Sequence, residues 1–196
     1  MLQSNRLHPV VKNILLTLIL LLVFLIVAIP FKVMSVIPGF TDIRPVSLLQ
    51  PVFGIFFGVP GCMAFAIGNL ISDIDSDSLR WSSIAGFAAN FAGPYLFYLF
   101  LCRLSKTPFS LRSGKNLLKT IAVTALSAIV QAVLITPAVV LIYPEVSGWL
   151  FATTVTLNGS IFPIILGIPL MILMQEELGF KPQSRRIKTM DVALSE

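Results

Sequence analysis

Residues 40–77 read FTDIRPVSLLQPVFGIFFGVPGCMAFAIGNLISDIDSD. Asp42 and Arg44 stand before an uncharged run from Pro45 to Ser72, and Asp73, Asp75 and Asp77 follow it, with Asn69 just inside the far end. As one helix this run would be about 42 Å long at 1.5 Å per residue, too long for a hydrocarbon core of about 30 Å. Pro60-Gly61 in its middle is a turn signal. The stretch therefore reads as two short helices, 46–59 and 61–72, which are either tilted or form a re-entrant hairpin. In both cases the chain returns to the side it left.

Composition places that hairpin in a membrane. The 196 residues are 56% hydrophobic and 12% charged, with a mean hydropathy of +0.92. Soluble domains carry about 25% charged residues. Six spans of about 20 residues would use nearly the whole length.

Before the hairpin, Ile14 to Ile29 is almost wholly aliphatic and aromatic. It is long for a signal-peptide core and no small-x-small cleavage site follows. The first helix is expected to continue, kinked at Pro30, to about Val36. Ile37-Pro38-Gly39 then reads as a turn and 41–45 as an external loop. After the hairpin, spans are expected at 82–101, 117–143 and 149–174. The first two of these carry small faces (Gly86, Ala89 and Gly93; Ala125, Ala128 and Ala132) that allow close helix approach. Pro137 is expected to kink the outer half of the fifth span.

Charge orients the bundle. With two crossings or a hairpin in the middle, the basic 103–119 loop and both tails share one face. The other face holds Lys32, Arg44 and Arg80 against Asp42, Asp73, Asp75, Asp77 and Glu145. Cytoplasmic loops are enriched in Lys and Arg. The sequence thus predicts an all-α membrane protein, a six-helix transmembrane bundle with short second and third helices and both termini cytoplasmic. Residues 1–12 and 175–196 are the tails and 13–174 the membrane domain.

Polar residues inside spans are costly and face the bundle interior. Counted from the outer ends, Asn69, Asn90, Asn158 and Gln131 lie roughly 6 to 18 Å deep at helical rise. Gln50 is a fifth amide inside the apolar run. The inner half is nearly all apolar, which points to a cup open outward. Amides both donate and accept, so they can read the edge of a neutral heterocycle. Each amide could equally be a helix–helix hydrogen bond. Arg44 is either a bidentate anion ligand or the partner of Asp42 or Asp73. Asn69 and Asp73, four apart, share a helix face. Trp149, like Trp81, is an interface anchor or a stacking partner.

Other chemistry has no residues to carry it. The chain has no Walker A, HExxH, GxSxG or CxxC pattern, and its single histidine, His8, lies in the tail. No catalytic residue, metal or cofactor is expected, and the chain reads as a non-enzyme. The Asp73, Asp75 and Asp77 cluster is a solvated acidic loop or a weak cation site. No internal repeat marks it as an inverted-repeat transporter.

Thr41-Asp42-Ile43-Arg44-Pro45, Leu48, Gly54-Ile55-Phe56-Phe57-Gly58, Gly68-Asn69 and Asp73, with Gly86-Phe87 and Asn90-Phe91, form a recognisable run. It resembles the substrate-binding membrane subunits, or S components, of energy-coupling factor (ECF) transporters, and is most similar to their queuosine-precursor and general vitamin-type branch. The resemblance covers about 31–101; beyond that it rests on span count and sidedness. It implies a multi-pass protein of a bacterial or archaeal plasma membrane that binds one vitamin-like solute near the outer face, under the loop after the first helix. It also implies partners: a transmembrane coupling subunit and two ABC ATPases. The first helix lacks the family's Ala-x-x-x-Ala pair, having only Ala28, which places the coupling contact in doubt. Asp42, Arg44, Asn69, Asp73 and Asn90 match the motif either as fold signatures or as ligand contacts. The competing readings are a stand-alone secondary transporter and a non-transporting membrane scaffold.

Overall fold

The computed structural model describes residues 8–31, 35–37, 41–75, 79–105 and 109–183. Six helices follow one another among them: α1 (Pro9–Phe31), α2 (Pro45–Phe57), α3 (Val59–Asp75), α4 (Ser83–Arg103), α5 (Gly114–Ile142) and α6 (Gly148–Glu176). Four of these, α1, α4, α5 and α6, are long and apolar enough to cross a membrane; α2 and α3 are shorter.

The helices run alternately between two ends. Thr17 Oγ1 of α1 lies 3.5 Å from Pro60 O at the start of α3. Arg44, just before α2, donates to Asn69 near the end of α3. Gly58, between α2 and α3, lies against Tyr98 late in α4 and Gln183 beyond α6. One end therefore gathers Arg103, Arg112, Lys115 and Lys181. The other gathers Asp73, Asp75 and Glu145 with Arg44 and Arg80. These are the basic and the acidic ends below.

Two expectations are corrected. The first helix does not reach Val36: from Ile29, just before Pro30, it tightens into a 3-10 turn, Ile29–Phe31. Ser35–Ile37 (β1) is instead a strand, paired antiparallel with Thr41–Asp42 (β2). The turn at Pro38-Gly39 falls outside the described residues. The hairpin break lies at Gly58, not at Pro60-Gly61. Gly58 has φ 59° and ψ −136°, a region open to glycine because it has no Cβ. Its carbonyl accepts the first bond of α3 from Cys62 N at 3.0 Å. Pro60 sits in the first turn of α3, where a missing N–H costs nothing.

Prolines shape the backbone elsewhere. Turns of π-helix occupy Phe53–Phe57, Tyr98–Arg103 and Pro163–Gly167. Each begins at a proline or within four residues of one: Pro51, Pro94 and Pro163. A proline frees a carbonyl, and a wider turn re-satisfies the ladder. α5 instead continues through Pro137 as α-helix.

In lipid, helix association gains from packing and hydrogen bonds and not from escape from water. The core accordingly sets large rings against glycines. Phe24 of α1 meets Phe65 of α3 edge-on, ring centroids 4.9 Å apart, and a Cβ at Gly68 would overlap the Phe24 ring. A Cβ at Gly54 would overlap Pro94 O, so α2 and α4 touch backbone to backbone. The outer surface is apolar: Ile26 is 73% exposed and Leu141 81%, as suits lipid contact.

The basic end is closed more firmly than a solvated loop would be. Phe109 and Leu111 are buried. Gln175 holds their backbone, donating to Phe109 O at 3.3 Å and accepting from Leu111 N at 3.4 Å. Arg112 pairs with Glu176 at 2.9 Å. After α6, Gly179 (φ 68°) turns the chain back. Gln183 then donates from its backbone to Ile55 O (2.8 Å) and from its side chain to Phe56 O (3.3 Å).

Candidate functional site

The buried amides fall into two layers. The deeper one joins α2 to α5. Gln50 Nε2 donates to Gln131 Oε1 and Gln131 Nε2 donates to Gln50 Oε1, both at 3.0 Å. The two side chains thus form a reciprocal amide pair with one donor and one acceptor from each. Ser127 Oγ, one turn before Gln131 and with one proton to give, lies 3.4 Å from Gln50 Oε1 and 3.2 Å from Gly93 O of α4. The pair lies directly on Gly93, where a Cβ would stand 2.8 Å from Gln131 Nε2. A side chain there would push the amide pair out of place.

The shallower layer is built on the 3-10 turn that starts α2. Arg44 N donates to Asn158 Oδ1 of α6 at 3.1 Å. Ser47 Oγ, which can donate one proton, lies 2.6 Å from Asn158 O and 2.8 Å from Arg44 O. The Arg44 guanidinium donates through Nη2 to Asn69 Oδ1. Asn69 Nδ2 donates to Asp73 Oδ2 at 3.3 Å, which also accepts from Ser83 Oγ of α4 at 3.3 Å. Arg44 and Asp73 are therefore joined through an amide, and the cation is half-buried beside a neutral partner.

Between the layers is a small cavity. Its walls include Arg44, Ser47, Gln50, Asn90, Gln131 and Asn158, with Val46, Phe65 and Val155 as apolar lining. Its accessible volume is about 30 Å³, room for about two waters. Asn90 is buried and donates to Gly86 O of its own helix at 2.7 Å. Phe65 belongs to the aromatic core with Phe24 and Phe53, so the cavity ends on rings toward the basic end.

Of the sequence-predicted site residues, Arg44, Asn90, Gln131 and Asn158 meet at this cavity. Asn69 and Asp73 stand behind Arg44 and position it. Trp149 is 83% exposed at the start of α6 and is not in the lining; it occupies an anchor's position. The Asp42 side chain lies outside the described residues. Sequence reasoning placed Gln50 in the membrane but not in the site, and it missed Ser47 and Ser127. Ser127 had a signal, being four residues before Gln131 on the same helix face. Ser47 had one too: three residues after Arg44 is the spacing of a side chain that closes a local turn.

No family model, no curated protein and no solved structure matches this chain.

Proposed function

We propose that the chain is the substrate-capture subunit of an ECF-type importer in a bacterial or archaeal plasma membrane. In this reading all six helices cross the bilayer, both termini are cytoplasmic and the acidic end faces outward. The solute is a vitamin-like or nucleobase-precursor micronutrient. Transport is driven by a coupling subunit and two ABC ATPases that are separate chains.

The observation that carries the reading is the meeting of Arg44, Asn90, Gln131 and Asn158, from four separate elements, on one cavity near the acidic end. Buried amides are selected against in membranes unless they pair or bind, and here pairing and lining coincide. A ring is larger than about 30 Å³, so binding requires the start of α2 to part from α6. The bonds that would open are those from Arg44 N and Ser47 to Asn158. A 3-10 turn is a weakly held segment suited to such movement. The ligand's donors and acceptors would replace the opened bonds, and Arg44 could hold an anionic group at the rim.

Native mass spectrometry of the purified protein tests the capture reading directly. A small organic molecule retained by the wild type and lost in Arg44→Ala, Asn90→Ala and Gln131→Ala is the expected result. Unchanged affinity in all three variants would remove the cavity from function. Copurification with ATPase subunits, and uptake that needs them, is expected as well; uptake without them would make the chain a solitary transporter. Labelling of the 103–119 loop from outside the cell would overturn the orientation.

A further inference from the structure

A second recess lies at the acidic end and shares no lining residue with the amide cavity. Its volume is about 430 Å³, and it is bounded by the ends of α3, α4 and α5. Leu70, Leu79 and Ile84 give it apolar walls, and Arg80, Trp81 and Tyr143 complete its lining. Leu79, Trp81 and Ile84 are all more than half exposed, an arrangement that favours an apolar occupant.

We infer that this groove holds one membrane phospholipid, with its phosphate on Arg80 and an acyl chain along Leu70 and Ile84. Three observations lead there. The groove is amphipathic in the order a lipid needs: the cation and the aromatic rings lie at the helix ends, and Leu70 lies five residues inside the end of α3, roughly 7 Å deeper. Arg80 is also held in place, its guanidinium carbon 5.5 Å from the centroid of the Tyr143 ring. A guanidinium carries five donors in a planar fork, so one beside a ring can still meet a phosphate. Third, Trp81 is 76% exposed beside it, at the headgroup level where indoles concentrate.

The site is wired to the amide cavity. Arg80 N donates to Ser83 Oγ at 3.2 Å, and Ser83 Oγ donates to Asp73 Oδ2 at 3.3 Å. Asp73 leads through Asn69 to Arg44. A lipid seated on Arg80 would therefore brace the same ends of α3 and α4 that position Arg44. The proposal stands independently of whether the cavity captures a solute.

The test is native mass spectrometry of the full chain released from nanodiscs. One set contains phosphatidylglycerol and phosphatidylethanolamine; the other replaces them with a galactosyl diacylglycerol of the same chains. The wild type is expected to keep one phospholipid and no galactolipid. Arg80→Gln is expected to lower retention roughly fivefold, the weight of one arginine near a phosphate, while Arg112→Gln at the basic end changes nothing. Equal retention of galactolipid by the wild type, a comparison that needs no variant to fold, would overturn the proposal. So would unchanged retention in Arg80→Gln. Inorganic phosphate quenching Trp81 in lipid-free detergent would show a free-anion site and overturn it too.

Discussion

Leucine at Gln50 and Gln131, singly and together, is the sharpest probe of the amide pair. Among the described residues, Gln131→Leu removes the only hydrogen bond made by Gln50 Nε2 and leaves Gln50 Oε1 with Ser127 alone at 3.4 Å. Gln50→Leu is milder: Gln131 Nε2 keeps Ser127 O at 3.2 Å and Ser127 Oγ at 3.1 Å, and only Gln131 Oε1 loses its donor. A stranded buried polar group costs about 1–3 kcal/mol. Interhelical hydrogen bonds in membranes average about 0.6 kcal/mol, with a maximum near 1.7. The adjoining cavity has room for water, which can serve the stranded groups and pulls the cost toward the low end.

We expect losses of about 1.5 kcal/mol for Gln131→Leu and about 1 kcal/mol for Gln50→Leu. The double variant strands neither amide and replaces the pair with two apolar side chains. It should lose no more than about 1 kcal/mol, so its cost falls below the sum of the singles by about 1.5 kcal/mol. Reversible unfolding in mixed detergent micelles measures all four proteins. Costs that add within about 0.5 kcal/mol would show that the two side chains do not act as a pair. A larger loss for Gln50→Leu than for Gln131→Leu would refute the assignment of bonds to Ser127.

Three further outcomes follow from the backbone. Gly58→Ala must place a Cβ at φ 59° and ψ −136°, and the same unfolding assay should register a loss of about 1–3 kcal/mol; a neutral effect would mean the turn is not strained. Gly54→Ala drives a methyl into Pro94 O, where neither backbone can yield, so we expect at least about 3 kcal/mol and a sharp fall in folded yield after detergent extraction. Phe180 packs on Phe56 and Phe57 with centroids 6.1 and 6.0 Å away, the Gln183 side chain donates to Phe56 O at 3.3 Å, and Cys102 Sγ lies 3.7 Å from Ile55 O. Phe180→Ala combined with Gln183→Ala should therefore speed maleimide labelling of Cys102 by roughly tenfold, the effect of about 1.4 kcal/mol on an opening equilibrium; an unchanged rate would show that the 180–183 strap does not guard that end.

What could be read in advance depended on whether the signal was local. The uncharged 45–72 run exceeds a membrane's thickness unless strongly tilted, and with the sidedness of the basic loops this makes the return of the chain legible. Its position is not, because a proline reads as a stop and, in a first turn, equally as a start; Gly58 carries the break. The first helix was extended past Pro30 because the apolar run continues, and composition cannot reveal that β2 offers backbone partners to Ser35–Ile37. Asn90, Gln131 and Asn158 were legible as site candidates because each is costly in lipid on its own. Their partners were not: Gln50 and Gln131 are 81 residues apart, and no period links them. Phe109 and Leu111 were overlooked because the charges around them made the loop look solvated, although two apolar residues in a basic loop are themselves a sign of burial.

The irregular path of α2 ties these parts together. It begins as 3-10 helix, passes through a single α turn and ends as π-helix. Such backbone leaves carbonyls without ladder partners, which hydrocarbon cannot satisfy. In α2 every residue from Leu49 to Phe56 is buried, so lipid never meets these groups. Other parts of the chain supply what the ladder lacks. At the acidic end, Asn158 of α6 accepts from Arg44 N through its Oδ1 and lies with its backbone O 2.6 Å from Ser47 Oγ. At the basic end, Gln183 donates to Ile55 O and Phe56 O. Gln50 stands between the two and carries the amide pair. A helix held at both ends by groups outside itself can be shifted from either one, whereas a regular helix is locked by its own bonds. Release of the strap at the basic end and opening of the cavity at the acidic end would then both act on Gln50, each through about 10 Å of helix or less.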